Sequence, residues 1–380
     1  MRVKESGIAG TRAPSLLSIR VGLKHGFAER FTRRLTLKPL HSALSFLSLL
    51  VLPGLAPADR LFVIPRATIA YYQVDLKSGD VTFGAIEQYP EIISYGPAEI
   101  MSGGRMILAG FDAGQRQGLW IHDPAGVRLQ PVSGYTDPNT TTVRGEGPMF
   151  GSDIRDIVWQ PGGDLFLVTR PRPTEPGVLP PLELMAVDPA SGNRRVVSRA
   201  GEDPVGEGPA FENARDAFLA RDGRRLLVLD AFDGLFGVDL VSGDRVLVAS
   251  GGEFGLQPSE VEELADGRLI GLLTDPDTDA LFTLHPETKE VRLLSGEFGG
   301  NSAGAGPMFG FIYSLAVDAR GTIYVYDAQF GAVWRVDPVT GDRRIVAGGP
   351  DSMTEPLPGP EDEPSLTSAF TMPPSGFMLN

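Results

Sequence analysis

From about residue 60 onward the chain repeats one pattern. Short runs of Val, Ile, Leu, Tyr and Phe are broken every five to eight residues by Gly, Asp or Pro. The pattern is clearest at 311–318, 322–327, 332–337 and 342–347, which predict four consecutive β-strands. Runs at 105–109, 164–169, 224–229 and 268–273 match the second of these in other units. No long uninterrupted helical period follows Ala58, so the pattern predicts an all-β chain.

A landmark punctuates the strands. It reads Val74-Asp75-Leu76-Lys77-Ser78-Gly79, Val187-Asp188-Pro189-Ala190-Ser191-Gly192, Val238-Asp239-Leu240-Val241-Ser242-Gly243 and Val336-Asp337-Pro338-Val339-Thr340-Gly341. Weaker copies start at Ile121-His122-Asp123 and Leu284-His285-Pro286. This is hairpin chemistry: Asp or Ser caps local N–H groups, Pro presets φ, and Gly takes the left-handed position. Anchors at 75, 123, 188, 239, 285 and 337 are spaced 48, 65, 51, 46 and 52 residues apart. Periods near fifty with several short strands each predict a six-bladed β-propeller of four-stranded antiparallel blades. Insertions fill the long interval, one of them the proline-rich stretch 170–181.

A second landmark lies between blades: Gly145-Glu146-Gly147-Pro148-Met149-Phe150, Gly206-Glu207-Gly208-Pro209-Ala210-Phe211 and Gly304-Ala305-Gly306-Pro307-Met308-Phe309. These are not phosphate loops, because no helix and no Lys follows. They predict a turn toward the next blade, with Phe or Met plugging the seam. The last residues, 374–380, read as a first strand, and 59–63 as the second strand of the same unit. The C-terminal strand is thus expected to close the ring within the N-terminal blade.

Residues 1–58 differ from the rest. Arg33, Arg34 and Lys38 precede an apolar run from Ala43 to Leu55, and Ala56-Pro57-Ala58 follows in A-x-A spacing. That order predicts a cleaved export signal over 1–58 and a propeller over 59–380, hence a periplasmic or extracellular protein. The apolar run is too short for a good membrane span, so no stable span is expected after cleavage. Thr32-Arg33-Arg34-Leu35-Thr36-Leu37-Lys38 is compatible with twin-arginine export or with an ordinary secretory signal.

Nine of the 34 basic and two of the 48 acidic residues lie in this leader, so the remainder carries 25 and 46, a net of −21. Such a body repels nucleic acid and anionic lipid. The absence of Cys excludes disulfides, thiolate metal sites and a cysteine nucleophile. Past the leader only His122 and His285 remain, both at hairpin landmarks, which argues against a Ser-His-Asp triad or a histidine metal site.

Inner strands such as Ser314-Leu315-Ala316-Val317-Asp318-Ala319-Arg320-Gly321, followed by Tyr324-Val325-Tyr326-Asp327 and Val336-Asp337-Pro338, resemble the NHL-repeat and gluconolactonase-like superfamily of six-bladed propellers. The resemblance covers essentially all of 59–380. Aligned on Gly163, Gly223, Gly267 and Gly321, Asp156, Asp216, Glu260 and Ser314 share one slot at the start of the inner strand, with Glu99 near it in the second blade. A ring of carboxylates at the channel mouth would attract a hard cation. The resemblance implies calcium, held by Glu, Asp and Asn, and so nominates Glu99, Asp156, Asn213, Asp216 and Glu260 as a metal site. The alternative is that Asp156 and Asp216 pair with Arg155 and Arg215 or with strand-edge N–H groups. A second acidic run, 275–279, lacks the Gly and distal Glu of an EF-hand. The acidic, irregular face carrying the inter-blade loops is where function is expected. Two functions stay open: an exported module binding a protein, peptide or glycan, and a calcium-dependent lactonase or related hydrolase.

Overall fold

The computed structural model describes residues 48–50, 60–65, 70–85, 92–101, 104–112, 116–123, 129–135, 142–151, 153–173, 179–201, 203–251, 258–274, 279–318, 320–349 and 374–379. All of them belong to one compact unit, 45–380. Every regular element among them is a strand. One sheet joins the two ends of the chain. In it β1 (Ser48–Leu50), β2 (Arg60–Pro65), β3 (Ala70–Asp75) and β4 (Val81–Ala85) combine with β27 (Pro374–Leu379) in the order β1-β27-β2-β3-β4.

Five further sheets are built from consecutive strands. Blade B holds β5 (Ile92–Ile100), β6 (Met106–Asp112), β7 (Gln117–His122), β8 (Gln130–Tyr135) and β9 (Val143–Arg144). Blade C holds β10 (Asp153–Trp159), β11 (Leu165–Arg170), β12 (Glu183–Val187) and β13 (Arg194–Arg199). Blade D holds β14 (Ala214–Leu219), β15 (Arg225–Asp230), β16 (Gly234–Asp239) and β17 (Arg245–Ser250). Blade E holds β18 (Glu260–Glu263), β19 (Leu269–Thr274), β20 (Asp279–Leu284), β21 (Val291–Phe298) and β22 (Asn301–Ala303). Blade F holds β23 (Ile312–Val317), β24 (Ile323–Asp327), β25 (Ala332–Val336) and β26 (Arg343–Gly348). The first strands of successive blades lie side by side, β5 by β10, then β14, β18 and β23, as the inner strands of a propeller must.

The structure is thus an all-β propeller arrangement, with two departures from the expected six four-stranded blades. Five blades are self-contained, and the remaining sheet is a composite of both chain ends. Blades B and E also gain a fifth strand. Their outer strands carry a left-handed Gly134 or Gly296 and pair with the added strand, Gly134 with Arg144 and Gly296 with Ala303, before the inter-blade loop; in blade E the chain reverses at the left-handed pair Gly299-Gly300. In the composite sheet β27 runs antiparallel to β2, with Leu61 opposite Leu379 and Val63 opposite Phe377. Ser48–Leu50, inside the expected signal, pairs parallel with the other edge of β27.

Apolar clusters fill the seams between blades. One joins Met106, Ile107 and Trp120 of blade B to Ile157, Leu165 and Met185 of blade C. A second joins Phe166 and Leu184 of C to Phe211, Val228 and Phe236 of D. A third joins D to E, and a fourth joins E, F and Leu61 and Val74 of the composite sheet. Phe150, Phe211 and Phe309 plug seams as expected, with Phe309 edge-on to Trp334. Met149 and Met308 do not. They remain partly exposed and place their sulfur near a guanidinium instead.

That guanidinium explains the second landmark. Wherever a Gly-x-Gly-Pro-x-Phe loop enters a blade, the blade's outer strand starts with Arg: Arg194, Arg245 or Arg343. The loop wraps it. Arg245 Nε donates to the Pro209 carbonyl at 2.8 Å and Nη1 to Ser198 Oγ at 2.5 Å; Nη2 reaches the Gly208 carbonyl at 3.1 Å. Arg194 and Arg343 repeat the scheme on Pro148 and Ser133, and on Pro307 and Ser295. The preceding Asx completes it: Asn193, Asp244 and Asp342 accept the N–H of Glu146, Glu207 and Ala305. The first Gly of each loop has positive φ, and a Cβ on Gly145 would sit 1.9 Å from the Gly192 carbonyl oxygen. Only glycine lets the loop approach this closely. Burial without an ionic partner lowers the pKa of Arg194. Carbonyl lone pairs offset that cost, and Lys could not, because it lacks the planar fork.

Replacing Arg245 by Lys or Met leaves several partly buried carbonyls unpaired. At roughly 1–3 kcal/mol for a lost charged hydrogen-bond set, the melting temperature should fall by about 5–10 °C. Calorimetry of Arg245→Lys beside Arg335→Lys, an exposed position, checks it. Equal melting of the two variants would show the cradle to be dispensable.

Candidate functional site

The inner strands of blades C, D and F start with a β-bulge. Ile154 pairs with Thr169 but Asp156 with Val168, so Arg155 is skipped; Arg215 and Tyr313 are skipped likewise. The bulge breaks strict alternation and re-aims both residues of the pair. The carboxylate that follows is buried, and Arg155 and Arg215 are exposed.

Each buried carboxylate reaches sideways into the next blade. Asp156 Oδ2 accepts the N–H of Ala217 at 2.7 Å, and its Oδ1 accepts that of Ile157 at 2.9 Å. Asp216 Oδ2 accepts the N–H of Val261 at 3.0 Å. Glu260 Oε2 accepts the N–H of Leu315 at 2.8 Å. In every case the donor is the residue after the next blade's slot. The equivalence of Asp156, Asp216, Glu260 and Ser314 therefore holds, and of the open alternatives the strand-edge N–H groups are the partners. Arg155 instead pairs with Asp153 at 2.5 Å.

The other two nominated residues lie elsewhere. Glu99 pairs opposite Ile107, two positions deeper than the slot, which Pro97 occupies in blade B; its level is that of Glu262 in blade E. The bulge between Tyr95 and Ala98 produced the misalignment, since it adds residues without advancing the ladder. Asn213 precedes Asp216 by three residues and belongs to a different cluster. Its N–H, with that of Glu212, donates to Asp230 Oδ2, while Asp230 Oδ1 takes the N–H groups of Phe232 and Asp233. Asp327 does the same for Gly310, Phe311, Gln329 and Phe330. These second-strand Asp side chains bind the entering inter-blade loop to the second hairpin of the same blade. Among the described residues no three His, Asp or Glu side chains are grouped so as to hold a metal ion.

Of the acidic run 275–279 only Asp279 is among the described residues; it accepts the Ile312 N–H at 2.5 Å. Asp112 pairs through its backbone with Ile92. His285 fills the repeat Asp position in function as well as place, its Nδ1 accepting the N–H groups of Glu287 and Thr288.

The buried carboxylates share a low-dielectric space. Burial, then the charge of Asp156 and of Glu262, push Glu99 well above the usual carboxylate range. Burial and Asp216 do the same to Glu260, and burial with Asp216 to Glu262. Burial raises Asp216 to about 7, against the pull of the Val261 and Ala217 N–H groups. The interior of the channel is thus a set of interacting acids, and its rim carries Arg.

Sequence reasoning missed that rim. At the position where blades D and F carry Asp230 and Asp327, blade C carries Thr169, and β11 runs one residue further to Arg170. Arg170 donates to the carbonyls of Pro180 at 2.5 Å and Glu212 at 2.6 Å, anchoring the proline-rich insertion and the next loop. The signal was the break in the Asp pattern at Thr169, with Arg170 beside it.

No family model and no curated protein sequence matches the chain. Solved structures do. The crystal structure of a nidogen/laminin complex superposes with a TM-score of 0.52 at 10% identity, over 84% of this chain and 97% of that one. A protein of unknown function from Bacteroides caccae gives 0.49 at 13%, over 85% and 99%. An oligogalacturonate lyase in complex with manganese gives 0.45 at 16%, over 76% of each. At such identities the likeness is one of fold, a β-propeller.

The raised acids set the sign of a pH dependence. An unfolded Asp titrates near pH 4. Asp216 binds its proton more tightly when folded, so its stabilisation is full below about pH 4 and is lost as pH rises through about 7. Glu99, Glu260 and Glu262 act with the same sign. The melting temperature should be several degrees higher at pH 5 than at pH 8, and Asp216→Asn, which keeps an acceptor for Val261, should narrow the gap. A protein equally stable at both pH values would contradict this.

Proposed function

We propose that the chain is an exported six-bladed propeller that binds a protein, peptide or glycan on the face carrying its inter-blade loops. The observation that carries the reading is where the ionisable groups go. Asp156, Asp216, Glu260 and the cradle arginines are used to join blades, and Asp230 and Asp327 to tie the entry loop to its own blade, whereas the loop face departs from the repeat. On that face the insertion after β11 leaves Leu179 exposed, and the β15–β16 hairpin leaves Phe232 exposed. Apolar side chains on an irregular face suit partner binding. Closure by β27 is supported by its place beside both β5 and β23. Cleavage after Ala58 would remove β1 and leave the composite sheet with the four strands of its simpler neighbours. The hydrolase alternative requires carboxylate oxygens free to ligate calcium, and the pairing of the slot carboxylates with N–H groups gives it no support.

Three measurements test the reading. Peptide and glycan arrays probed with the secreted protein should give ligands whose binding Phe232→Ala or Leu179→Ser abolishes and Val339→Ser, on the opposite hairpin turns, does not. Reversed dependence would place the site on the other face. Titration with calcium should leave the melting temperature unchanged; a rise of several degrees would favour the hydrolase. Deleting 374–380 removes the partner of β2 and should abolish cooperative unfolding, so a truncated protein that melts like the parent speaks against closure.

A further inference from the structure

The bulges put a set of hydrogen-bond donors on one level of the channel rim. Arg155, Arg215 and Tyr313 hold the skipped position in blades C, D and F, and Ser259 precedes the slot in blade E. Below them the strands are buried, with Ile157, Ala217, Val261 and Leu315 closing the walls. Because inner strands surround the axis, a residue exposed at their start meets solvent at the channel mouth. A bulge at this point is a common means of re-aiming a side chain beside a site.

The polar ends of these residues are unequally used. Arg155 is tied to Asp153. Arg170, close enough to Arg155 to be repelled by it, is spent on two carbonyls. Arg215 has no hydrogen bond or ion pair among the described residues. The charge it feels most is Asp230, whose carboxylate already accepts four N–H groups. Arg215 is exposed to solvent, and burial of part of its side chain lowers its pKa. The Tyr313 hydroxyl is likewise without a partner, beside a Phe311 ring set edge-on at 4.7 Å. A planar fork, a hydroxyl and an aromatic wall suit a planar, singly charged acceptor. A doubly charged phosphate would sit above Asp156, Asp216 and Glu260 and be repelled more strongly.

We infer that the channel mouth binds the carboxylate of a ligand, with the Arg215 guanidinium as its bidentate donor and the Tyr313 hydroxyl as a second donor. The inference deepens the binding reading, since it names the chemical group recognised on the same face. A carboxylate could come from an acidic peptide side chain or from a uronic acid sugar, and the test separates the two.

Calorimetric titration of the secreted protein at low ionic strength uses N-acetylglutamate amide and glucuronate, each against its neutral counterpart, N-acetylglutamine amide and glucose. At least one carboxylate should bind at least about tenfold more tightly than its counterpart, and the preferred member of the pair identifies the source. Arg215→Gln should weaken that binding by about tenfold or more, Arg215→Lys less, because charge remains without the fork. Tyr313→Phe should weaken it by a smaller factor at unchanged melting temperature, and it keeps the test decisive where an Arg215 variant folds poorly. Equal binding of neutral counterparts, full binding by Arg215→Gln, or no binding of either carboxylate overturns the inference. Array ligands that still depend on Phe232 would in that case leave the binding reading standing.

Discussion

The side-to-side carboxylate hydrogen bond is the constraint on which the arrangement of blades depends. Within a blade, ladder hydrogen bonds satisfy the backbone. Between the inner strands of neighbouring blades the ladders stop, and side-chain packing alone is non-directional and tolerates sliding. Asp156, Asp216 and Glu260 convert three of these seams into directed ones, because each carboxylate must meet one particular N–H of the next inner strand. Asp279 adds a fourth contact at the top of the E–F seam. The cost is a crowd of buried acids, and its visible sign is the upward shift of Asp216, Glu260 and Glu262.

The arginine cradles fix the outer ends of the same seams. The Ser–Arg–carbonyl cluster occurs at B–C, C–D and E–F, where the inter-blade loop carries the two glycines. Blade E, entered by the different sequence 251–258, has Val291 at the Arg position. Loop and arginine therefore come and go together within one chain, as expected of two halves of one interaction. Inner carboxylate and outer guanidinium hold each tied blade at both its axial and its peripheral edge.

Much of the fold was legible because it repeats. The landmark at 75, 188, 239 and 337 fixed the third hairpin of its blades, and strand runs such as 322–327 fell within a residue or two of β24. The candidate site was legible in part. The slot shared by Asp156, Asp216 and Glu260 followed from counting back from glycine. Its use did not, since a carboxylate in a channel and a carboxylate bound to a neighbouring strand look alike in sequence. Bulges were invisible for the same reason: an extra residue in a strand leaves no mark on composition, yet it moved Glu99 off the slot and turned Arg155 and Arg215 outward. The fifth strands of B and E depended on left-handed glycines whose pairing is set by tertiary geometry.

The carboxylate ties all point one way around the axis, from C to D, D to E and E to F, and they end at Ser314, which has no carboxylate to hand on. Blades C to F therefore form an arc whose members are joined to immediate neighbours in chain order, with short sequence separations at every joint. The sheet made from β2 and β27 is the opposite case, pairing residues more than three hundred positions apart. Loop-closure entropy makes such a pairing late. A chain synthesised amino-terminus first can thus assemble the arc progressively as it appears. Its two ends can meet only when the final strand is free, so completion of that sheet waits on release of the whole chain.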